Sequence, residues 1–473
     1  MIDVSFRDLL VSFSGISCLP CFPYDTFLKT SQYLLVIVPV EFPFKFSDFV
    51  CSTEKGTKTT TMTPPRHVLI VGAGIHGLST AYFLTTRHNI PCTLIERAGK
   101  IAPGASSKAA GFLTKDWNDE TPTEKLTRRS FELHQELANT FGADTIQYRR
   151  LQCVGVQVDP SGSKEEQAMK HSPKKRKQPQ LEWRPPTLAV SNIMDMGDES
   201  SIAQVHPRLL CEQLWKACQA TGLATLKAGR VVGMQHNANQ NQTVKQQQQE
   251  EHQVQEPQEE DEVEGVILDD GTVISGDAVL FAAGAWTANI MYGIKGHSLI
   301  LPTSRVLKQT IFFSSMSYGE PEVFVRPDQT AFVSGYPGDV AKVPNEVEAG
   351  SETIEPDVVE KLKQSVRACM GYNTPHVQEE PAIAVSGDPA HVQCCYQPCT
   401  DDFLPVMGKL SRRATGGGAN DNVYIQGGHN CWGILLAPAS GEAMADLIVL
   451  GKSRKVDLQP FRPSRYRNLK LFP

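Results

Sequence analysis

No transmembrane segment is expected in this chain. The most hydrophobic run of the first 61 residues, Tyr33–Val40, has about eight residues and includes Pro39, against the ~20 that a spanning helix requires. The start of the chain lacks the basic segment, apolar centre and small-residue cleavage site of a secretory signal. Positive charge is not in excess: 46 Lys and Arg stand against 52 Asp and Glu, a net charge of −6, which argues against nucleic acid as a partner. The 12 cysteines lack the short, even spacing of a disulfide framework, and Cys92, Cys211 and Cys218 fall in segments expected to be buried, so a reducing, cytoplasmic setting is expected. Cys18-x-x-Cys21 has no second pair or nearby histidine to complete a metal site, and none is expected. With 40% hydrophobic and 21% charged residues, the chain has the composition of an ordinary globular protein.

What is present is concentrated first at residues 68–97. An apolar strand, Val68–Val71, runs into Gly72-Ala-Gly-Ile-His-Gly77, a helical stretch follows, and a second apolar run, Cys92–Ile95, ends in Glu96. Gly72 suits a tight turn off the strand, Gly74 lets the backbone approach a pyrophosphate, and Gly77, with Ala81 beyond it, lets the helix pack close to the sheet. The free amides at the helix start carry partial positive charge and suit phosphates. Glu96, about 20 residues past the last glycine, is placed to accept from a ribose hydroxyl, which favours NAD or FAD over NADP.

Four further blocks narrow the choice. They are Ala102–Leu113, rich in small and hydroxylated residues; Asp277–Gly284, a buried strand ending in small residues; Asp401–Gly408; and Asn422–Gly441, which contains Gly428-His-Asn-Cys-Trp-Gly433. In this order and spacing they resemble the FAD-dependent oxidoreductases of the D-amino-acid oxidase superfamily, nearest its glycine oxidase and sarcosine oxidase branch, with a fungal-type branch of unknown substrate also similar. The resemblance covers Val68 to about Gly451 and implies an α/β fold: a Rossmann-type FAD-binding domain joined to a substrate domain built on a mixed β-sheet. It implies FAD contacts at Gly72, Gly74, Ile75, Gly77, Glu96 and Arg97, at Ser106, Ser107, Ala110 and Gly111, at Val231, Ala283 and Gly284, and at Gly428, Gly433 and Ile434. Lys115, His429, Trp432 and Gly433 are the catalytic candidates.

The domain plan follows from that resemblance and from composition. Residues 1–61 are expected to be a disordered or non-native extension, since superfamily members begin shortly before the first strand and Met62 stands there. The FAD-binding domain is expected from 62–146, 204–296 and 403–455, and the substrate domain from 147–203 and 297–402, with a tail over 456–473. Ser161–Pro186, with the basic tetrad Lys174–Lys177, and the Gln/Glu-rich 237–264 have too little apolar surface to fold alone and read as inserts. The spacing predicts helices over His206–Ala220 and Pro356–Met370 and from Pro438 to Leu450, and strands over Val306–Phe313, Val323–Val325 and Ala331–Ser334.

The implied chemistry is oxidation of a C–N bond in an amine or amino-acid-like small molecule by hydride transfer to flavin N5, with oxygen or another acceptor taking the electrons. A flavin dehydrogenase with a different acceptor, and a flavin-binding protein with an interaction or trafficking role, stay open beside it. Two departures from the family bear on substrate. Glycine-oxidase-like members hold the substrate carboxylate with arginines where this chain has Gln397 and Cys431, and neither can replace a bidentate guanidinium. Lys115, Arg326 and Arg305 are the candidate substitutes. Cys394-Cys395-Tyr396 followed by Asp401 is similar to the block through which sarcosine-oxidase-like relatives attach flavin covalently.

Overall fold

The computed structural model describes residues 63–158, 180–183, 190–236, 263–314, 319–335, 340–341, 349–370, 382–383, 391–415 and 422–472. The extension 1–61, the Lys174–Lys177 tetrad, the Gln246–Gln249 tract and Cys18-x-x-Cys21 lie outside them.

The runs Val68–Val71, Cys92–Glu96, Ala278–Phe281 and Val423–Gly427 are buried along nearly their whole length, as strands covered on both faces must be. They form the centre of a six-stranded sheet in the order Val406–Lys409, Val423–Gly427, Ala278–Phe281, Val68–Val71, Cys92–Glu96, Ala224–Ala228. Every neighbouring pair is parallel except the first. Period-two alternation sends Val68 and Ile70 into one apolar cluster and Leu69 into another. The first cluster lies under helices α1 (Ile75–Arg87), α2 (Glu124–Phe141), α3 (Pro207–Ala220) and α5 (Gly433–Leu450). The second includes the small antiparallel sheet of Val231–His236, Val263–Leu268 and Val273–Ser275.

A second sheet of eight strands is mostly antiparallel; only Gln309–Ser314 pairs in parallel, with Gln152–Val158. Ile311, Phe313, Val323, Val325, Ala331 and Val333 pack on one of its faces against helix α4, Pro356–Met370. The expected strands are here as Gln309–Ser314, Glu322–Val325 and Thr330–Ser334. Two expected boundaries are corrected. Residues 296 and 297 lie inside one strand, Tyr292–Pro302, because its pairing with His391–Cys399 runs unbroken across them. The glutamine-rich insert ends earlier than 264, because Val263 already pairs with His236.

The largest correction concerns α5. Proline suits a first helical turn, so a start at Pro438 was expected; the helix begins at Gly433 and holds Pro438 inside it. A proline there has no N–H for the carbonyl of Ile434 and crowds it sterically. Helix α2 supplies the missing partners: His134 Nε2 lies 3.0 Å from Ile434 O and 3.2 Å from Leu435 O, and Ala439 N donates to Ser130 Oγ at 3.1 Å. Ion pairs tie the same helices together, with Glu442 of α5 taking Arg129 of α2 at 2.8 Å through both oxygens, and Arg87 of α1. Burial opposes ionisation of Glu442, but these guanidinium bonds outweigh it and hold its carboxyl below the ordinary value. The segment Asn430–Leu450 is long and apolar enough to cross a membrane, yet 78% of its apolar window is buried in the protein, as befits a core helix.

Candidate active site

The two sheets meet at a cavity of about 660 Å³. Its first part lies at the carboxyl ends of the parallel strands, where open α/β sheets bind ligands. Gly72 has φ +106°, and a Cβ on it would stand 2.5 Å from Ala282 O; a Cβ on Gly77 would stand 2.1 Å from Gly72 O. Both positions are closed to any side chain. Gly74 differs, since a Cβ there would meet only Ser106 Oγ, at 3.1 Å, and would project toward the cavity. No side chain of Gly74 caps α1, and its first turn holds no acid, so the positive end of the helix dipole is not neutralised from within the helix. Ser106 Oγ accepts from Ile75 N at 2.9 Å. Glu96 ends its strand with Oε2 accepting from Ala73 N at 3.0 Å and Oε1 from Ala98 N at 3.2 Å. Burial raises its pKa against the pull of those amide bonds. The acid therefore braces the glycine turn while keeping lone pairs for a diol.

Deeper in, two histidines stack. His76, inside the glycine turn, and His429, after Gly428, have ring centroids 3.7 Å apart and planes inclined by 21°. Burial lowers His76 to about 3 and holds His429 well below the ordinary histidine value, so both rings are neutral. Thr80 Oγ1 donates to Gln426 Oε1 at 2.8 Å, and Gln426 Nε2 lies 3.3 Å from His76 Nδ1, which leaves the His76 proton on Nε2, toward Gly433. His429 Nε2 is 3.0 Å from Ser440 Oγ, and its Nδ1 has no partner among the described residues.

The far wall is aromatic. The sheet face opposite α4 presents Phe312, Phe324 and Phe332; Phe332 meets Phe324, Phe312 and Phe324 meet Phe112, and Phe312 meets Trp117, with centroids 5.4 to 6.0 Å apart. Trp117 in turn meets Trp432 edge-on at 6.3 Å. Gln397 and Cys431 also line the cavity, and Gln397 Nε2 donates to Asn430 Oδ1 at 2.7 Å.

The family model described as "FAD dependent oxidoreductase" (DAO) matches residues 67–447. The chain belongs to this family. A Schizosaccharomyces pombe protein described only as an oxidoreductase is 28% identical over 84% of this chain and 98% of its own length. A glycine oxidase of Geobacillus kaustophilus is 23% identical over 86% of this chain and 98% of its own. Among solved structures, the glycine oxidase from Geobacillus kaustophilus superposes with a TM-score of 0.58 at 20% identity, covering 86% of this chain and 100% of that one. The L-amino acid deaminase from Proteus vulgaris superposes with 0.59 at 17%, covering 87% and 99%.

The cofactor of the DAO family is FAD, and the cavity fits it on its own terms. The bare backbone of Gly74, the helix start beside it and the Glu96 carboxylate provide a pyrophosphate and ribose cradle. Trp286 Nε1 and His429 Nδ1 are buried atoms of cavity-lining residues with no hydrogen-bond partner among the described residues.

The cavity brings together Gly72, Gly74, Ile75, Glu96, Arg97, Ser106, Ala110, Gly111, Val231, Ala283, Gly284, Gly428, His429, Trp432, Gly433 and Ile434. Three expected residues are not on its walls. Gly77 packs under the turn; Ser107 bonds back to Gly104 O at 3.3 Å. Lys115 continues the pairing with the neighbouring strand through Ser201 O, and the turn after it returns Trp117 to the cavity instead. The proposed substitutes for the carboxylate clamp fail similarly. Arg326 is buried behind the wall with its guanidinium over Phe332 and bonded to Ala109 O, and Arg305 reaches Glu182 O at the surface. Sequence reasoning missed His76, Lys108, Lys295, Glu322 and the phenylalanine wall. The only signal for the wall was apolar alternation in strands, which does not say which face meets a ligand.

Proposed function

We propose that the protein oxidises a C–N bond of a small amine at the junction of its two sheets, FAD accepting the hydride when bound. The observation that carries this reading is the continuity of one cavity from the Gly74–Glu96 cradle to the aromatic wall, which puts a nucleotide site and an apolar substrate chamber in a single space. The chain's own contributions follow from the geometry. The start of α5, held by His134 and Ser130 against the disturbance at Pro438, brings a helix N-terminus with no acid in its first turn to the cavity, where it would stabilise negative charge on a bound, reduced flavin. His76 and His429 are positioning groups: their low basicity makes them poor proton acceptors, and a neutral stacked pair adds no competing charge. The aromatic wall excludes water from the reacting carbon. Oxygen or another acceptor takes the electrons. A cytosolic setting suits the nine described cysteines, all unbridged.

The test is anaerobic addition of a panel of amines and amino acids to purified protein, followed by admission of oxygen. Loss of the flavin's visible absorbance with at least one amine is expected, and oxygen uptake on reopening separates oxidase from dehydrogenase. A flavin that no member of the panel bleaches, while a chemical reductant does, refutes the reading.

A further inference from the structure

Glu322 is the feature of the cavity that nothing above uses. It opens a strand of the second sheet, opposite Phe312 on one neighbouring strand and Ser334 on the other, and Phe324, two residues on, faces Phe332. The carboxylate thus stands on the same sheet face as the phenylalanine wall, lining the cavity. Among the described residues its carboxylate accepts one hydrogen bond, from Ser334 Oγ at 3.5 Å, and no described cation pairs with it. Burial raises its pKa to about 7, with the nearby Glu320 adding to the rise and only Ser334 opposing it. A carboxylate without a countercharge in an aromatic chamber is costly unless a ligand completes it.

The rest of the chamber points the same way. Two lysines on the walls are already neutralised: Lys108 Nζ meets Glu352 Oε2 and Lys295 Nζ meets Glu355 Oε1, each at 2.5 Å. Gln397 and Cys431 are uncharged. The two arginines that line the cavity, Arg97 and Arg230, adjoin Glu96 and Gly229 at the cradle end, whereas the acid Glu322 stands among the aromatic rings. The geometry points to a cationic substrate: an alkylammonium, with no carboxylate required, whose positive charge is held by Glu322 and by the rings of Phe312 and Phe324, Phe332 being already covered by Arg326. This rests on the reading of the cavity as an amine-oxidising site and specifies what that site selects.

The experiment uses the FAD-loaded protein and benzyltrimethylammonium, a quaternary cation with no N–H to lose, so that binding is read apart from turnover. Calorimetry and the perturbation of the flavin spectrum are followed, with benzoate as the anionic control. The cation is expected to bind and benzoate to bind more weakly. Glu322→Gln keeps shape and removes a half-buried charge, and is expected to weaken the cation ~10- to 100-fold at unchanged FAD content. Phe324→Leu is expected to weaken it several-fold through the lost ring face. Equal affinity of Glu322→Gln and the unchanged protein for the cation, or tighter binding of benzoate, overturns the proposal. If the cation binds through Glu322 but no amine bleaches the flavin, amine oxidation is wrong and cation recognition stands; if amines are oxidised with no effect of Glu322→Gln on their KM, the reverse holds.

Discussion

The Pro438 irregularity in α5 leads to a sharp prediction about stability. His134 is fully buried, and its Nε2 serves the carbonyls of Ile434 and Leu435, the first of which has lost its helical donor to the proline. Removing the imidazole leaves at least one buried carbonyl unsatisfied, at ~1–3 kcal/mol, and opens a cavity, so His134→Ala is expected to cost about 3 kcal/mol or more. In a Pro438→Ala background the new amide can serve Ile434 O directly. His134→Ala then loses its carbonyl penalty and keeps only its packing cost, so the two substitutions should couple by about 1–3 kcal/mol. Urea unfolding of the four proteins of the cycle measures this. Strict additivity refutes the claim that His134 substitutes for the missing helical donor. The histidine also makes a pH statement. Burial lowers it from 6.5 to about 4, against the two carbonyl bonds, so the unfolded chain takes up its proton first on acidification. Its contribution is full above pH 6.5 and is lost as pH falls toward 4, up to about 3 kcal/mol. The pH dependence over that window should be shallower in His134→Ala.

Other outcomes follow from the same structure. Glu96→Ala should weaken FAD binding by at least ~10-fold, since it removes both a charged acceptor for the ribose and the brace on Ala73 N; unchanged FAD content after dialysis would contradict this. Gly74→Val should give protein without FAD, because the side chain enters the cradle, and normal loading would sink the assignment. Burial pushes the Cys395 thiol up to about 12, away from the thiolate that covalent attachment needs, so acid precipitation should leave the yellow colour in the supernatant; a yellow pellet shows the bond. Glycine, sarcosine and D-alanine should be poor substrates, and Gln397→Arg with Cys431→Arg should raise activity toward them; efficiency of ~10⁴ M⁻¹s⁻¹ or above in the unmodified protein would defeat the argument from the missing arginines.

What the sequence disclosed, and what it withheld, divide along a physical line. The glycine turn was readable because a backbone at φ +106° and a carbonyl oxygen 2.5 Å from where a Cβ on Gly72 would stand admit only one residue type, so local geometry is written into local composition. The buried strands were readable for the same reason, since a central parallel strand needs an unbroken apolar run. Pro438 misled because the rule for proline at a helix start assumes that no other group will serve the stranded carbonyl, and the group that does lies 300 residues away in sequence. Lys115 misled in the opposite sense. Nearness in sequence to the small-residue loop put it in the site, while the alternation of a strand and the turn after it gave that place to Trp117.

Glu322 shows why substrate preference is harder to read than fold. A single acid in an apolar strand has no meaning until its cross-strand partners are known, and those partners come from Gln309–Ser314 and Thr330–Ser334, joined to it only by the sheet. The family's arginines are one-residue features as well, but their absence was legible because flanking blocks fixed where to look. Their loss alone leaves a neutral chamber, and a neutral chamber does not choose an amine over an acid. It is the acid among aromatic rings, with Lys108 and Lys295 already paired, that sets the sign of the chamber and with it the charge of the molecule that completes it.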